Sequence, residues 1–203
     1  MTRRDCLIAG AAVVVAPLGG LVQSVTPKVI DPRFVRVWTE AQRDRPTVLS
    51  NASRIAPEDE PGSPLTIRGQ VFAEDGRSPL SRAVVFAYHT DASGAYNREG
   101  VPGWRLRGWA RTDASGRFTF ETIRPAPYPS HQEAAHVHWS VEGDGVRRQT
   151  LEDVLFVDDP LLSDAQRARS REAGPFANIV AVSTRNGRQE CAIMLRPTGE
   201  FVF

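Results

Sequence analysis

Arg105-Leu106-Arg107-Gly108-Trp109-Ala110-Arg111-Thr112, then Asp113-Ala114-Ser115-Gly116, then Arg117-Phe118-Thr119-Phe120-Glu121-Thr122 is the stretch that decides the fold class. The two flanking runs have strand length, and in the second Phe118 and Phe120 alternate with polar residues. Such alternation puts one row of side chains on each face of a strand. The four residues between them are turn formers: Asp accepts hydrogen bonds from backbone amides just ahead of it, and Gly takes the left-handed conformation at little cost. The unit reads as two strands joined by a tight turn.

The same pattern continues in both directions. Thr66 to Ala73, Ala83 to His89, His136 to Val141, Leu151 to Val157, Asn178 to Thr184 and Glu190 to Leu195 read as further strands. Between them stand Glu74-Asp75-Gly76, Asp91-Ala92-Ser93-Gly94, Glu142-Gly143-Asp144-Gly145 and Arg185-Asn186-Gly187. Seven or eight short strands with regular turns describe an all-β protein, an antiparallel β-sandwich. Two helices interrupt this pattern. Residues 33 to 45 place Phe34, Val37, Trp38 and Ala41 on one side of an amphipathic arm, and Asp164 to Glu172 reads as a short surface helix capped by Ser163 or Asp164. The expected organisation is an export signal over 1–26, an N-terminal arm and linker over 27–63, and the sandwich over 64–203.

With 203 residues the chain has room for one domain with a real core. Its 25 Lys and Arg nearly balance 24 Asp and Glu, so no basic excess exists to hold a nucleic acid. Cys6 and Cys191 are the only cysteines, which argues against a disulfide framework. Cys191, inside the apolar run Cys191-Ala192-Ile193-Met194-Leu195, reads as a small buried hydrophobe.

Arg3-Arg4 stands before an uncharged apolar run from Leu7 to Leu21, the layout of an export signal of twin-arginine type. That route carries folded proteins, which suits a cofactor inserted before export to the periplasm or the extracellular space. The run is short for a spanning helix, so no stable membrane insertion is expected once the signal is cleaved.

In Ala135-His136-Val137-His138-Trp139 the strand period sends both imidazoles to one face. This pair alone is compatible with a metal site or with structural histidines. Of the three tyrosines, Tyr96 follows a turn and Tyr128 lies in the proline-rich loop Arg124-Pro125-Ala126-Pro127-Tyr128-Pro129. Each alone reads as an ordinary half-buried aromatic. Together with the histidine pair they supply two hard phenolate oxygens and two imidazoles, a set suited to iron(III).

These residues carry a family resemblance. Ile67-Arg68-Gly69-Gln70-Val71-Phe72, Pro79-Leu80-Ser81-Arg82-Ala83-Val84-Val85, Asp91-Ala92-Ser93-Gly94-Ala95-Tyr96, Gly116-Arg117-Phe118, Ile123 to Tyr128 and Ala135 to His138 resemble, in order, the intradiol ring-cleavage dioxygenase family. The resemblance spans roughly residues 64 to 160. It implies non-haem Fe(III) held by Tyr96, Tyr128, His136 and His138, with Tyr128 the axial ligand that a catecholate displaces, opposite His138. It implies an aromatic diol and dioxygen as reactants and a cis,cis-muconate-type product, and it leaves homodimerisation open. Gln149 matches the family's later active-site Gln, Tyr88 is read as packing, and His89 and His131 as surface or pocket residues.

One position departs from the family pattern. Relatives carry Arg three residues before the first ligand histidine, and this chain has Glu133. A carboxylate beside an electron-rich ring raises its energy unless Glu133 is protonated, turned outward or paired with Arg147 or Arg148. This reversal keeps two alternatives open, a secreted binding module that has lost turnover and a divergent iron enzyme acting on a phenol. Asp158-Asp159-Pro160 is read as turn chemistry, and Arg167, Arg169 and Arg171 as a solvated helix face.

Overall fold

The computed structural model describes residues 31–97, 103–130, 132–199 and 202, so the expected signal and His131 lie outside the described residues. Helix α1, Pro32–Ala41, leads through a short 3₁₀ turn to strands β1 Ala52–Arg54, β2 Pro64–Val71, β3 Val84–His89, β4 Leu106–Arg111, β5 Arg117–Ile123 and β6 His136–Gly143. Then follow β7 Val146–Thr150, β8 Val154–Phe156, helix α2 Asp164–Glu172, β9 Ile179–Val180, β10 Ser183–Arg185 and β11 Arg188–Leu195. No helix among the described residues is long and apolar enough to cross a membrane.

Two sheets pack face to face, one ordered β1-β5-β2-β11-β10 and the other β4-β3-β6-β8-β9, with β7 paired to β6. The sandwich is therefore as expected, but it is not purely antiparallel. β1 with β5, β2 with β11 and β8 with β9 run parallel, because each joins strands distant in sequence rather than the two arms of a hairpin. Between the sheets lies a core that includes Ile67, Val85, Phe118, Phe120, Val137, Trp139 and Phe156.

Two strand expectations change, and β1 and β7 are strands that were not expected. The segment Leu151 to Val157 holds only β8, and β7 lies just before it. Arg147 and Arg148 are both exposed, so β7 lacks an apolar alternation to read. Asn178 to Thr184 splits into β9 and β10, and the three-residue β1 carries no pattern at all. The two-residue turn Asn186-Gly187 closes the β10–β11 hairpin with both residues at positive φ, the geometry that Asn-Gly favours.

The helical arm does more than flank the sandwich. Strand β3 is buried at every position, with Val85, Ala87 and His89 turned one way and Val84, Phe86 and Tyr88 the other. The second row joins Trp38, Ala41, Trp104 and Trp109 in a separate apolar layer on the outer face of the sheet, with Phe34 and Val37 packed against it. Asp31 caps α1 and Trp38 Nε1 donates to Ser140 Oγ at 3.2 Å, which pins the helix to β6. A further helix, α2, starts at Ser163, whose side chain and Gln166 form a reciprocal capping box. Cys191 is buried as expected, and burial pushes its thiol up to about 12.

Candidate metal centre

His136 and His138 project from β6 to the outer face, while Val137 and Trp139 enter the core between the sheets. The register places His138 beside Tyr88 of β3 and His136 beside Leu155 of β8. Tyr88 is packing, as expected, and its ring is sandwiched between Trp104, 3.7 Å away, and His138, 4.5 Å away.

The two tyrosines come from two loops that are tied together. Asp91 makes the turn of the first loop, accepting from the Ser93 and Ala95 amides, and Arg105 holds both its Oδ2 and the Glu60 carboxylate. The Arg105 amide then donates to the Tyr96 carbonyl at 2.9 Å. Across the gap, Thr90 Oγ1 donates to the Ala126 carbonyl at 2.6 Å and the Ala126 amide donates to the Asp91 carbonyl at 3.1 Å. Gly94, at φ +84°, lies so close to the second loop that a Cβ there would stand 2.2 Å from the Pro127 carbonyl oxygen. Only glycine fits that approach.

The result is one compact group of four donor atoms. Tyr96 Oη lies 2.7 Å from His138 Nε2 and within hydrogen-bond contact of Tyr128 Oη. Tyr128 Oη lies 3.0 Å from His136 Nε2 and 3.3 Å from His138 Nε2. The two Nε2 atoms are 3.1 Å apart. All four ligands expected from the sequence therefore meet.

The outer nitrogens decide what this group can hold. His136 Nδ1 faces the Ala134 carbonyl at 2.7 Å, and His138 Nδ1 faces Asp153 Oδ1 at 2.7 Å. With the ring protons donated outward, each neutral imidazole presents a bare Nε2 lone pair to the cluster. Two such lone pairs 3.1 Å apart need a shared cation or the phenolic protons between them. Burial drives the hydroxyl of Tyr96 well above the ordinary tyrosine range and raises that of Tyr128, so both stay neutral without a cation. Two hard oxygens and two imidazoles fit iron(III).

Three other expectations come out differently. Gln149 is not brought to the cluster: its buried Oε1 accepts from the Thr198 and Gly199 amides at 2.9 Å, and Nε2 donates to the Arg147 carbonyl. It clamps the C-terminal segment, because β7 runs beside β6 and turns this side chain toward the tail. His89 is neither surface nor pocket. It is fully buried between the sheets, its nitrogens 2.7 Å from the Thr90 carbonyl and from Thr122 Oγ1, and burial lowers its pKa to about 4. The arginine face of α2 is only partly solvated, since Arg167 donates to the Val157 carbonyl at 3.0 Å.

Glu133 is exposed, and among the described residues no ion pair joins it to Arg147 or Arg148. Arg148 is engaged with Glu142 at 2.9 Å and covers the Trp38 ring. Glu133 nevertheless lines a polar cavity of about 270 Å³ with His136, Glu152, Asp153 and Arg169. On the other side of Asp153 an apolar cavity of about 320 Å³ reaches His138 past Phe34, Trp38 and Tyr88.

Two functional contacts escaped the sequence reading. Asp153 lies inside the expected strand Leu151 to Val157 but just before the observed β8, and a lone carboxylate there carries no signal that marks it as a partner of His138. Asp159, in the expected turn, does accept from the Leu161 amide, but its other oxygen accepts from the Ala135 amide at 2.8 Å and so fixes the start of the histidine strand.

The family model described as Dioxygenase matches residues 31–186. The chain belongs to the intradiol ring-cleavage dioxygenase family. Catechol 1,2-dioxygenase 2 of Acinetobacter lwoffii is 32% identical over 135 residues, 58% of this chain and 48% of that protein. The protocatechuate 3,4-dioxygenase beta chain of Burkholderia cepacia is 31% identical over 114 residues, 50% of this chain and 48% of that one. The chain thus spans about half the length of these curated relatives. Among solved structures, the dioxygenase domain of a dioxygenase carbohydrate-binding protein fusion from Streptomyces sp. SirexAA-E superposes with a TM-score of 0.56 at 25% identity, covering 75% of this chain and 90% of that one. The 3-chlorocatechol 1,2-dioxygenase of Rhodococcus opacus 1CP shares the fold, with a TM-score of 0.56 at 21% identity over 79% of this chain and 76% of that one. Intradiol dioxygenases as a family use non-haem iron(III), and the four-donor group of this member has the corresponding donor chemistry.

Proposed function

We propose that this family member is an iron(III)-dependent intradiol dioxygenase that opens a catechol or related o-dihydroxyaromatic with dioxygen to a cis,cis-muconate-type product. The observation that carries the reading is the convergence of Tyr96, Tyr128, His136 and His138 on one point, each imidazole already turned with its free nitrogen inward. When bound, ferric iron supplies the Lewis acidity that draws electron density from a catecholate and opens its ring to dioxygen.

The protein's own groups divide the remaining work. Tyr96 is braced by the Arg105 amide and by the turn at Asp91, so it is the fixed phenolate. Both tyrosines lie in loops outside any strand, and Tyr128 would be the phenolate that gives way to the diol, as the family resemblance implies. Freed from the metal, its oxygen could take one of the diol's two hydroxyl protons. The aromatic ring occupies the cavity beside His136, against Ala134 and Leu155. Glu133 opens onto the same cavity and acts electrostatically on Tyr128, so neutral catechols are favoured over those carrying a carboxylate. Export by the twin-arginine route belongs to the same proposal and rests on Arg3, Arg4 and the apolar run to Leu21.

The purified protein is expected to be red to brown from tyrosinate bound to iron(III), to change its visible band on addition of catechol, and to consume one dioxygen per ring opened. A colourless, iron-free protein that binds catechol without oxygen uptake would sink the proposal in favour of a binding module.

A further inference from the structure

The two histidines of the centre are backed differently. His136 Nδ1 faces a neutral backbone carbonyl, that of Ala134, whereas His138 Nδ1 faces the carboxylate of Asp153, both at 2.7 Å. We propose that Asp153 is a positioning residue that acts on the metal centre through His138, fixing its tautomer and making it the more strongly donating imidazole. The inference rests on the iron reading of the four-donor group.

Three observations carry it. First, an ionised carboxylate only accepts hydrogen bonds, so His138 must keep its proton on Nδ1 and leave Nε2 bare. An amide in the same place has a donor as well as an acceptor, and the opposite tautomer would then be allowed. Second, Asp153 is held in place. It precedes β8, its carbonyl accepts from Asn178 Nδ2 at 2.8 Å, and the Asn178 carbonyl accepts from the Leu155 amide at 2.9 Å. Third, the backing is one-sided: among the described residues a carboxylate meets the outward nitrogen of His138 and only a backbone carbonyl meets that of His136.

Asp153 does stand near enough to be taken for a ligand, since its oxygen and one nitrogen of each histidine lie within 4.8 Å of one another. Its hydrogen bond argues otherwise. The carboxylate meets the outward nitrogen of His138, while the tyrosine oxygens meet the inward one, and the two nitrogens of an imidazole point away from each other. A carboxylate behind a metal-bound histidine orients the ring and raises its basicity, and loss of such a partner typically costs about 10–100-fold in metal affinity.

The test uses the full-length, iron-loaded protein and its Asp153→Asn, Asp153→Ala and Glu152→Gln variants. Iron affinity is read by competition with a chelator, the tyrosinate-to-iron band by visible absorption, and the fold by far-ultraviolet circular dichroism. Asp153→Asn should keep the fold, lose roughly tenfold in iron affinity and move the band to longer wavelength, because a weaker imidazole donor leaves the iron more electron-poor. Asp153→Ala should lose more affinity. Glu152→Gln, which removes a neighbouring charge without touching His138, should leave the band in place. The inference is overturned if both Asp153 variants stay within twofold of the parent with an unmoved band, or if Glu152→Gln moves the band as far as Asp153→Asn. Complete loss of iron from a folded Asp153→Asn variant would make Asp153 a ligand and overturn it as well. A parent protein that binds no iron is a different failure: it removes the site reading, and this inference with it.

Discussion

Replacing Gly94 by Ala tests whether the loop carrying Tyr96 sets the position of Tyr128. The new Cβ would stand 2.2 Å from the Pro127 carbonyl oxygen, and contacts under 3.0 Å are essentially never seen, so that carbonyl must withdraw by about 0.8 Å. Tyr128 is the next residue, and its oxygen is 3.0 Å from His136 Nε2. A shift of this size at a ligand carrier breaks the four-donor geometry. Two costs add: the left-handed backbone at φ +84°, about 1–2 kcal/mol for a residue with a Cβ, and overpacking against a fixed carbonyl, about 1–3 kcal/mol. Gly145→Ala separates them, because Gly145 has φ +76° but nothing within 4 Å of its would-be Cβ. Urea unfolding should show a loss of about 1–2 kcal/mol for Gly145→Ala and about 2–5 kcal/mol for Gly94→Ala. Visible absorption should show the tyrosinate band kept in the first variant and lost or strongly weakened in the second. If the two variants match in both measurements, Gly94 is an ordinary turn glycine and the bridge between the loops is not what positions Tyr128.

Tyr96→Phe, His136→Ala and His138→Ala should each abolish bound iron or its visible band; metal analysis showing full iron and an unchanged band in all three would refute the ligand set. Tyr128→Phe should retain part of the iron and form the parent's catechol complex while turnover falls, and failure to form that complex would refute a displaced axial ligand. Glu133→Gln should shift the kcat/KM ratio toward protocatechuate relative to catechol by about 0.2–1 kcal/mol, a modest effect because Glu133 is exposed and screened; an unchanged ratio places its charge outside the substrate's reach. His89 makes stability fall in acid: the unfolded chain takes up this proton near 6.5 and the folded one only near 4, so the stabilising difference is complete above 6.5 and is lost as the pH drops toward 4, by on the order of 3 kcal/mol. Denaturation at a series of pH values should show this slope in the parent and its loss in His89→Asn; an equal slope in both would assign it to other groups.

The division between what sequence and tertiary structure decide follows from the range of the interactions involved. Strand period and turn chemistry are local, so alternating runs such as Arg117 to Thr122, with Asp113-Ala114-Ser115-Gly116 before them, determine a sandwich without reference to the rest of the chain. The four donor residues are legible from similarly local signals. A His-x-His pair shares a face by strand geometry alone, and Tyr96 and Tyr128 stand out through family order and their distinctive loops. Everything that depends on which strands lie side by side was beyond local reading. Parallel pairings, the burial of His89 against Thr122 and the use of Gln149 on the C-terminal backbone arise from contacts between residues 24 to 124 positions apart. The same holds for Asp153, which carries no partner signal of its own and acquires meaning only when β6 and β8 pair and bring it to His138, 15 residues away in sequence. Sequence by itself determined which side chains offer donor atoms suited to a metal. Only the packing of loops and sheet edges decided which second partners hold those atoms in place, because hydrogen bonds of a few ångströms link residues whose chain separation carries no periodic signal.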